Sequence, residues 1–528
     1  MFLRSRMFLL PVVFLAVAAV PATVLAAGFE FGPQGVHAVG RGGAFVVGAD
    51  DPSAIWWNPA RLALMRGTRL MYNHTLSDMN LSFDRAPAQK YAVDGKGNVI
   101  IDAATGLPKA FVRADGTDEP PQTYPTSKQL MGWFPLGMSL GLTSDFGLKD
   151  WGFGIGLSGP SAYGTVAYAN QANDGSADDP TLTSATRYSV VNMDALIAYL
   201  SVAAAYKYKE WFGIGATFQY VAVPSVKYTL DVVGPGKVKD QNDPSKNLAD
   251  LQANVNVSDW VGFTGIVGAW VRPLPSLELA LSARVSPIKV RATGTTDILR
   301  PPGIMGGSQT KLGSVSAKLS FDYPVDVKVG ARYRHMKGDL EVFDIEADFV
   351  WEQWSAMDAF RTNFGGQSVS MSGSNVVLKD ITMIRNLKDT YSVRLGGTYQ
   401  AIPDHLWARL GGWWESGAQK NEYTIIDLPS WDRFGIGFGL SGAFRGVEIG
   451  LSYAHVFQLS REVKSGTGAI HQQVLDFDGN VKDGYAVNEG KYSSSVDVIS
   501  LGITILWEEL IYGKKPGQKN TSAVVSSL

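Results

Sequence analysis

From about residue 69 onward, apolar side chains recur at every second position, and no stretch there is long and apolar enough to cross a membrane as a helix. In 496–507 one face carries Ile499, Leu501, Ile503, Ile505 and Trp507, and the other Ser500, Gly502 and Thr504. In 431–444, Phe434, Ile436, Phe438 and Leu440 alternate with Gly435, Gly437 and Gly439. In 447–454, Val447, Ile449, Leu451 and Tyr453 stand opposite Glu448, Gly450, Ser452 and Ala454. Such a period makes a strand with one apolar face. A soluble sandwich shows the same pattern, so alternation alone does not name the solvent.

Spacing does. Strands are predicted at 69–84, 127–142, 151–168, 183–206, 211–230, 252–271, 277–291, 311–334, 340–357, 390–401, 405–417, 431–444, 447–461 and 493–507. Their number is even, about fourteen, and their connections alternate in kind. Short turns fall at 145–150, 207–210, 272–276, 335–339, 403–404 and 445–446; long polar loops include 85–126, 231–251, 360–389 and 462–492. Short turns at one rim and long loops at the other describe a transmembrane antiparallel β-barrel. The apolar face must then meet lipid and the polar face a lumen. On the eighth strand Val325, Val327, Val329, Ala331 and Tyr333 are expected outside, with Asp326, Lys328, Arg332 and Arg334 inside. The ninth strand puts Asp344, Glu346 and Asp348 inside, and the tenth Ser392 and Arg394, so opposite charges meet across neighbouring strands.

The ends fit an envelope protein. Arg4 and Arg6, an apolar run over 7–20, and small residues at Val24 and Ala26 make a secretory signal over 1–26, cleaved after Ala26. The expected organisation is signal 1–26, a luminal plug 27–67, a barrel 68–507 and a polar tail 508–528. Gly 58, Trp 14 and 11% aromatics suit a barrel with tight packing and interfacial belts. A net charge of −2 gives no basic excess for nucleic acid, and the absence of Cys excludes disulfides and thiolate metal sites. No cofactor or metal is expected. The acidic loop residues Asp178, Asp179, Asp240 and Asp243 do not have the spacing of a known calcium site.

The stretch before the first strand contains GVHAVGRGGAFVVGADDPSAIWWNPARLALM, where Gly, Ala and Pro permit close packing and Ile55, Trp56 and Trp57 demand burial. With its closing Asn58-Pro59-Ala60, this run resembles the hatch of the FadL/TodX family of outer-membrane hydrophobic-compound transporters. GLSGPSAYGT at 156–165, Trp354-Ser355, the run 387–414 and LPSWDRFGIGFGLSG at 428–442 resemble further family segments in order. The resemblance covers essentially the whole mature chain. It implies a monomeric fourteen-stranded barrel in an outer membrane rich in lipopolysaccharide, closed by a hatch, passing fatty acids or other hydrophobic molecules. It also implies a kinked third strand, here Gly159, Pro160 and Ser161, through which ligand leaves sideways. Pro160 cannot donate to a ladder, which suits a kink; a bulge that only shapes the barrel is the alternative.

A fatty acid needs an apolar slot and a cation for its carboxylate. The basic candidates are Lys328, Arg332, Arg385, Arg394 and Arg409, with Arg433 beside them; each could instead balance luminal acids. In the family, a lysine before the tenth strand serves the carboxylate. The matching position here is Met383, with Arg385 close by, which leaves neutral or aromatic hydrocarbons as an alternative ligand class. Asn58, Pro59 and Ala60 connect to function as hatch elements, or simply keep the plug folded. An enzyme is disfavoured: His37, His74, His335, His405, His455 and His471 have no metal spacing, and no GxSxG motif accompanies them. A general porin is a further rival, and would lack a plug rich in buried aromatics.

Overall fold

The computed structural model describes residues 34–87, 124–130, 132–159, 165–168, 185–186, 188–189, 191–232, 251–300, 310–371, 374–475 and 481–513. The signal segment 1–26, Pro160, Ser161, Asp178, Asp179, Asp240, Asp243 and the tail from 514 lie outside the described residues.

Fourteen strands close into one antiparallel barrel. They are β1 (Arg69–Arg85), β2 (Ser127–Lys128 and Phe134–Ser144), β3 (Trp151–Ser158 and Thr165–Ala167), β4 (Asn192–Tyr208), β5 (Phe212–Val232), β6 (Leu251–Leu274) and β7 (Leu277–Arg284 and Ile288–Arg300). Then follow β8 (Thr310–Tyr323 and Asp326–Lys337), β9 (Leu340–Glu352 and Ala359–Asn363), β10 (Ile381–Ile384 and Thr390–Ile402), β11 (Leu406–Glu415), β12 (Arg433–Phe444), β13 (Val447–Val463) and β14 (Gly490–Leu506). Each pairs with the next, and β1 closes on β14 in an unbroken register from Arg69↔Leu506 to Arg85↔Gly490. Closure removes every edge, which a sheet in lipid requires because unpaired backbone groups there cost several kcal/mol each.

The turns at one rim are short: Asp404 and Arg445 adopt positive φ, as tight hairpins need. The expected loop 360–389 is corrected in part, since Ala359–Asn363 and Ile381–Ile384 belong to the barrel wall. The final strand stops at Leu506 rather than Trp507, and Trp507–Tyr512 forms a short helix. Glu508 holds that helix to the barrel by accepting from the Thr68 N–H at 2.9 Å.

The wall has two storeys of opposite polarity. Near the short turns, β8 to β10 turn Val329, Tyr333, Ile345, Phe349, Val393 and Leu395 outward, while Arg332, Asp344, Glu346 and Asp348 are buried inside. Farther up, the apolar side chains point inward: Ile288, Val290 and Ala292 on β7, and Val315, Ala317 and Leu319 on β8. The outer face there is polar, with Lys289, Arg291, Thr293, Ser314, Ser316 and Lys318 exposed. The lower storey therefore answers to lipid, and the upper one to water and head groups. The storeys meet at a seam of interruptions: 285–287 on β7, 324–325 on β8, 353–358 on β9 and 385–389 on β10. Pro287 and Pro324 supply no N–H there. Val325, expected on lipid, instead lines an inner cavity beside Pro324.

A filled lumen and its two cavities

Residues 34–67 fold inside the barrel, as α1 (Val36–Gly40), α2 (Ala54–Trp57) and a 3-10 turn (Pro59–Leu64). All three are too short to stand alone; they are held by the wall. Glycines on the inner face make the room. A Cβ on Gly411 would lie 2.0 Å from the Arg41 carbonyl oxygen, and one on Gly152 2.2 Å from that of Leu62. The alternating glycines of these strands therefore allow the wall and the luminal backbone to touch.

Charge fixes the orientation. Arg41 donates from Nη1 to Asp344 and from Nη2 to Glu346, both at 2.7 Å, with all three side chains buried. Asp348 Oδ2 accepts the N–H groups of Phe45 at 2.8 Å and Val46 at 3.0 Å, and Glu346 accepts that of Val47 at 2.6 Å. The three inward acids of β9 thus grip one stretch of the luminal segment. Arg61 and Arg332 share Glu278, each at 3.2 Å. His37 bridges Asp50 and Glu448, at 2.9 Å on each ring nitrogen. Burial and the Arg409 guanidinium disfavour its protonation, but Glu448 and Asp50 outweigh them and raise its pKa from 6.5 to about 10.

Asn58 is central to the packing. Its Nδ2 donates to the carbonyls of Val46 at 3.1 Å and Ala269 at 3.3 Å, and its Oδ1 accepts from Ala60 N at 3.2 Å. Pro59 opens the 3-10 turn, where its missing N–H is no loss. Pro59 and Ala60 press against Gly215, where no side chain would fit.

Above this segment lie two cavities of different chemistry. The lower, of about 100 Å³, is roofed near the seam by Tyr323, Pro324 and Trp354 and floored by Trp56, Trp57 and Gln34. Arg284, Lys328, Arg394 and Arg433 face it together with Asp326, Glu352 and Glu415. The upper, of about 60 Å³, lies within the upper storey and is apolar: Met193, Ile197, Val255, Leu319, Phe321, Phe360 and Met383 are among its walls. Met383, at the position where the family's lysine is expected, adds only hydrocarbon and sulfur.

The basic candidates separate by height. Arg385 lies behind the wall of the upper cavity, its guanidinium over the ring of the wall residue Phe360 at 4.8 Å and its Nη2 2.5 Å from Asp427 Oδ2. Tyr228 OH donates to the same carboxylate at 3.2 Å, so the polar rim is internally neutral. Lys328 and Arg394 share the lower cavity. Lys328 is paired with Asp326, whereas Arg394 donates to Ser392 Oγ at 3.2 Å and sits 6.0 Å above the Trp57 ring; Glu415 acts on it electrostatically, but no described carboxylate lies within 4 Å of it. Arg332 and Arg409 lie lower still: Arg332 contacts Glu278, Glu341 and Asp344, and Arg409 donates to Ser441 at 2.7 Å. The structure does not bring the five together.

At the third strand, the β2–β3 ladder runs from Ser144↔Phe153 to Ser139↔Ser158 and reappears as the single Gln129↔Tyr168 bridge. Gly159 is at the break, and its carbonyl accepts from Gln34 Nε2 at 2.5 Å. Gln34 is tied in turn to Trp57, whose Nε1 donates to the Gln34 carbonyl at 3.1 Å. Sequence reasoning missed Gln34, Tyr228 and Asp427. Asp427 precedes Leu428-Pro429 in a run read only for its resemblance, and nothing local ties it to Arg385.

Residues 154–491 match the family model described as outer membrane protein transport protein (OMPP1/FadL/TodX). The chain belongs to this family. A putative outer membrane protein of Neisseria meningitidis serogroup B is 22% identical over 507 residues, covering 93% of this chain and 97% of the relative. Among solved structures, a Pseudomonas aeruginosa FadL homologue superposes with a TM-score of 0.63 at 16% identity, over 91% of this chain and 99% of that one. The P. putida toluene transporter TodX gives 0.56 at 14% identity, over 90% and 98%. This FadL/TodX-family member is accordingly an outer-membrane β-barrel with the fold of the hydrophobic-compound channels.

Proposed function

We propose that this protein passes neutral hydrophobic molecules, aromatic or aliphatic hydrocarbons among them, across the outer membrane as a monomer, with residues 34–67 acting as its hatch. The observation that carries the reading is the upper cavity: its walls are apolar, and the guanidinium behind them, Arg385 on the Phe360 ring, is already neutralised by Asp427. A carboxylate entering it would have to displace a buried ion pair, which is costly. The polar outer face of the upper storey lets this greasy chamber stand among lipopolysaccharide head groups, where free hydrocarbon would be held back. The charged lower lumen discourages hydrocarbon from going straight down, and exit sideways at Gly159, Pro160 and Ser161 into lipid avoids it. The relative named as a toluene transporter supports this ligand class.

Long-chain fatty acids are the second reading. Arg394, with no described carboxylate within 4 Å and facing an aromatic floor, favours it, with Lys328 beside it. Equilibrium titration of the refolded protein with toluene and with oleate separates the two. Toluene binding unaffected by Arg394→Ala supports the first; oleate binding that Arg394→Ala weakens tenfold or more supports the second. Binding of neither ligand overturns both.

A further inference from the structure

The break at β3 is not the largest departure from ladder pairing among fully described residues. The β6–β7 ladder runs from Leu274↔Leu277 to Ile266↔Arg284, stops, and resumes only at Ser258↔Thr293. Asp259–Gly265 and Val285–Ala292 therefore face each other without ladder pairs. In lipid such a gap is tolerated only if its backbone groups find other partners. They do. Tyr220 OH donates to the Trp260 carbonyl, Asp259 accepts the N–H groups of Val261 at 3.0 Å and Arg291 at 2.6 Å, and Thr264 Oγ1 donates to the Ser286 carbonyl at 2.8 Å. The one backbone bond across the lower end is Val285 N to Gly265 O at 2.9 Å. Side chains thus replace the ladder here, and the Asp259 and Thr264 side chains are what tie the two lips together.

Position adds to this. The gap starts at the seam and runs into the apolar upper storey, with Ile288 and Val290 buried on its β7 lip. Its lower lip, Ile266 and Arg284, lines the charged cavity. Outside, Trp260, Val261, Phe263 and Val285 are more than half exposed, with values of 56%, 73%, 52% and 59%, and make an apolar threshold toward lipid. Descending hydrocarbon meets charge below and hydrocarbon-like surface to the side.

We propose that the β6–β7 gap is a second lateral passage, exchanging hydrophobic ligand between the lumen and the outer leaflet. The proposal rests on the channel reading above. Only side-chain contacts and one backbone bond have to part for the lips to separate.

The test is a reversible lock. The chain has no Cys, and Thr264 Oγ1 and Ser286 Oγ are 3.4 Å apart, so the pair Thr264→Cys and Ser286→Cys gives one disulfide across the gap. Uptake of labelled toluene is measured in cells whose outer membrane carries lipopolysaccharide and either the Cys-free protein or the double variant, oxidised and then reduced. The expected result is uptake at least halved by oxidation and restored by reductant, with no redox effect on the Cys-free protein. Equal uptake by the oxidised and reduced double variant, with the disulfide verified, overturns the second passage and leaves the channel standing. Uptake by the Cys-free protein no greater than that of the empty host overturns the channel reading, and the passage with it.

Discussion

Arg385 and Asp427 meet at 2.5 Å, both buried, directly behind the Phe360 and Tyr228 walls of the apolar cavity. Forty-two residues separate them in the chain. Asp427→Asn removes the counter-charge while keeping the shape. Oleate affinity is expected to rise at least fivefold relative to toluene, because Arg385 becomes free to take a carboxylate. Competition titration of the two ligands checks this, and an unchanged ratio would show that Arg385 does not set ligand charge.

Arg41 is the main electrostatic tie between the luminal segment and β9. Arg41→Met leaves Asp344 with Arg332, but strips Glu346 of its cation. Breaking a buried pair from one side costs about 3–5 kcal/mol. The barrel is closed by its own ladder and is expected to survive, while the segment loosens. Planar-bilayer recordings should then show small-ion openings that the parent protein lacks. A silent, fully folded variant would mean that the glycine contacts alone hold the segment.

His37 gives the lumen a pH dependence of known sign. Its folded pKa, about 10, lies above the ordinary 6.5, so protonated His37 stabilises the docked segment fully below about 6.5. That contribution fades as pH rises from 6.5 and is gone above 10. Protease susceptibility of residues 34–65 should increase over this interval in the parent protein. His37→Gln should be susceptible throughout and show a flatter profile; identical slopes in the two would refute the assignment.

Asn58→Ala deletes two hydrogen bonds to backbone carbonyls and one from Ala60 N, in a place water cannot refill. A destabilisation of about 1–3 kcal/mol is expected. Urea-dependent cleavage within the luminal segment would register it as an earlier midpoint, with barrel unfolding unchanged.

The barrel was legible because period two and the sorting of short and long connections are local properties. The inversion of its wall was not. On β8 even-numbered residues point inward below Pro324 and odd-numbered ones above, yet both halves alternate equally well, and alternation says nothing about which face meets lipid. Ala359–Asn363 and Ile381–Ile384 escaped because segments of four or five residues carry too little period to read. Of the site, the basic residues could be seen individually, but their partners could not. Asp427 reaches Arg385, and Asp344 reaches Arg41, only once the ring closes. The inward glycines read simply as a small face; that they make space for Arg41 and Leu62 depends on what fills the lumen.

The reversal of the wall at the seam also sets the hydrophobic thickness that the protein asks of its bilayer. β6 has 24 residues, yet its outward apolar positions begin only at Trp260 and run from there to Leu274 at the short turn. On β12 they reach from Phe434 to Phe444, about ten residue steps, or roughly 33 Å along a strand and about 25 Å along the normal at a tilt near 40°. Membrane contact is therefore confined to a short band near the periplasmic rim. Lengthening the upper storey would raise the chamber farther above the surface without any mismatch penalty, whereas adding two residues to each lower strand would strain every lipid around the ring.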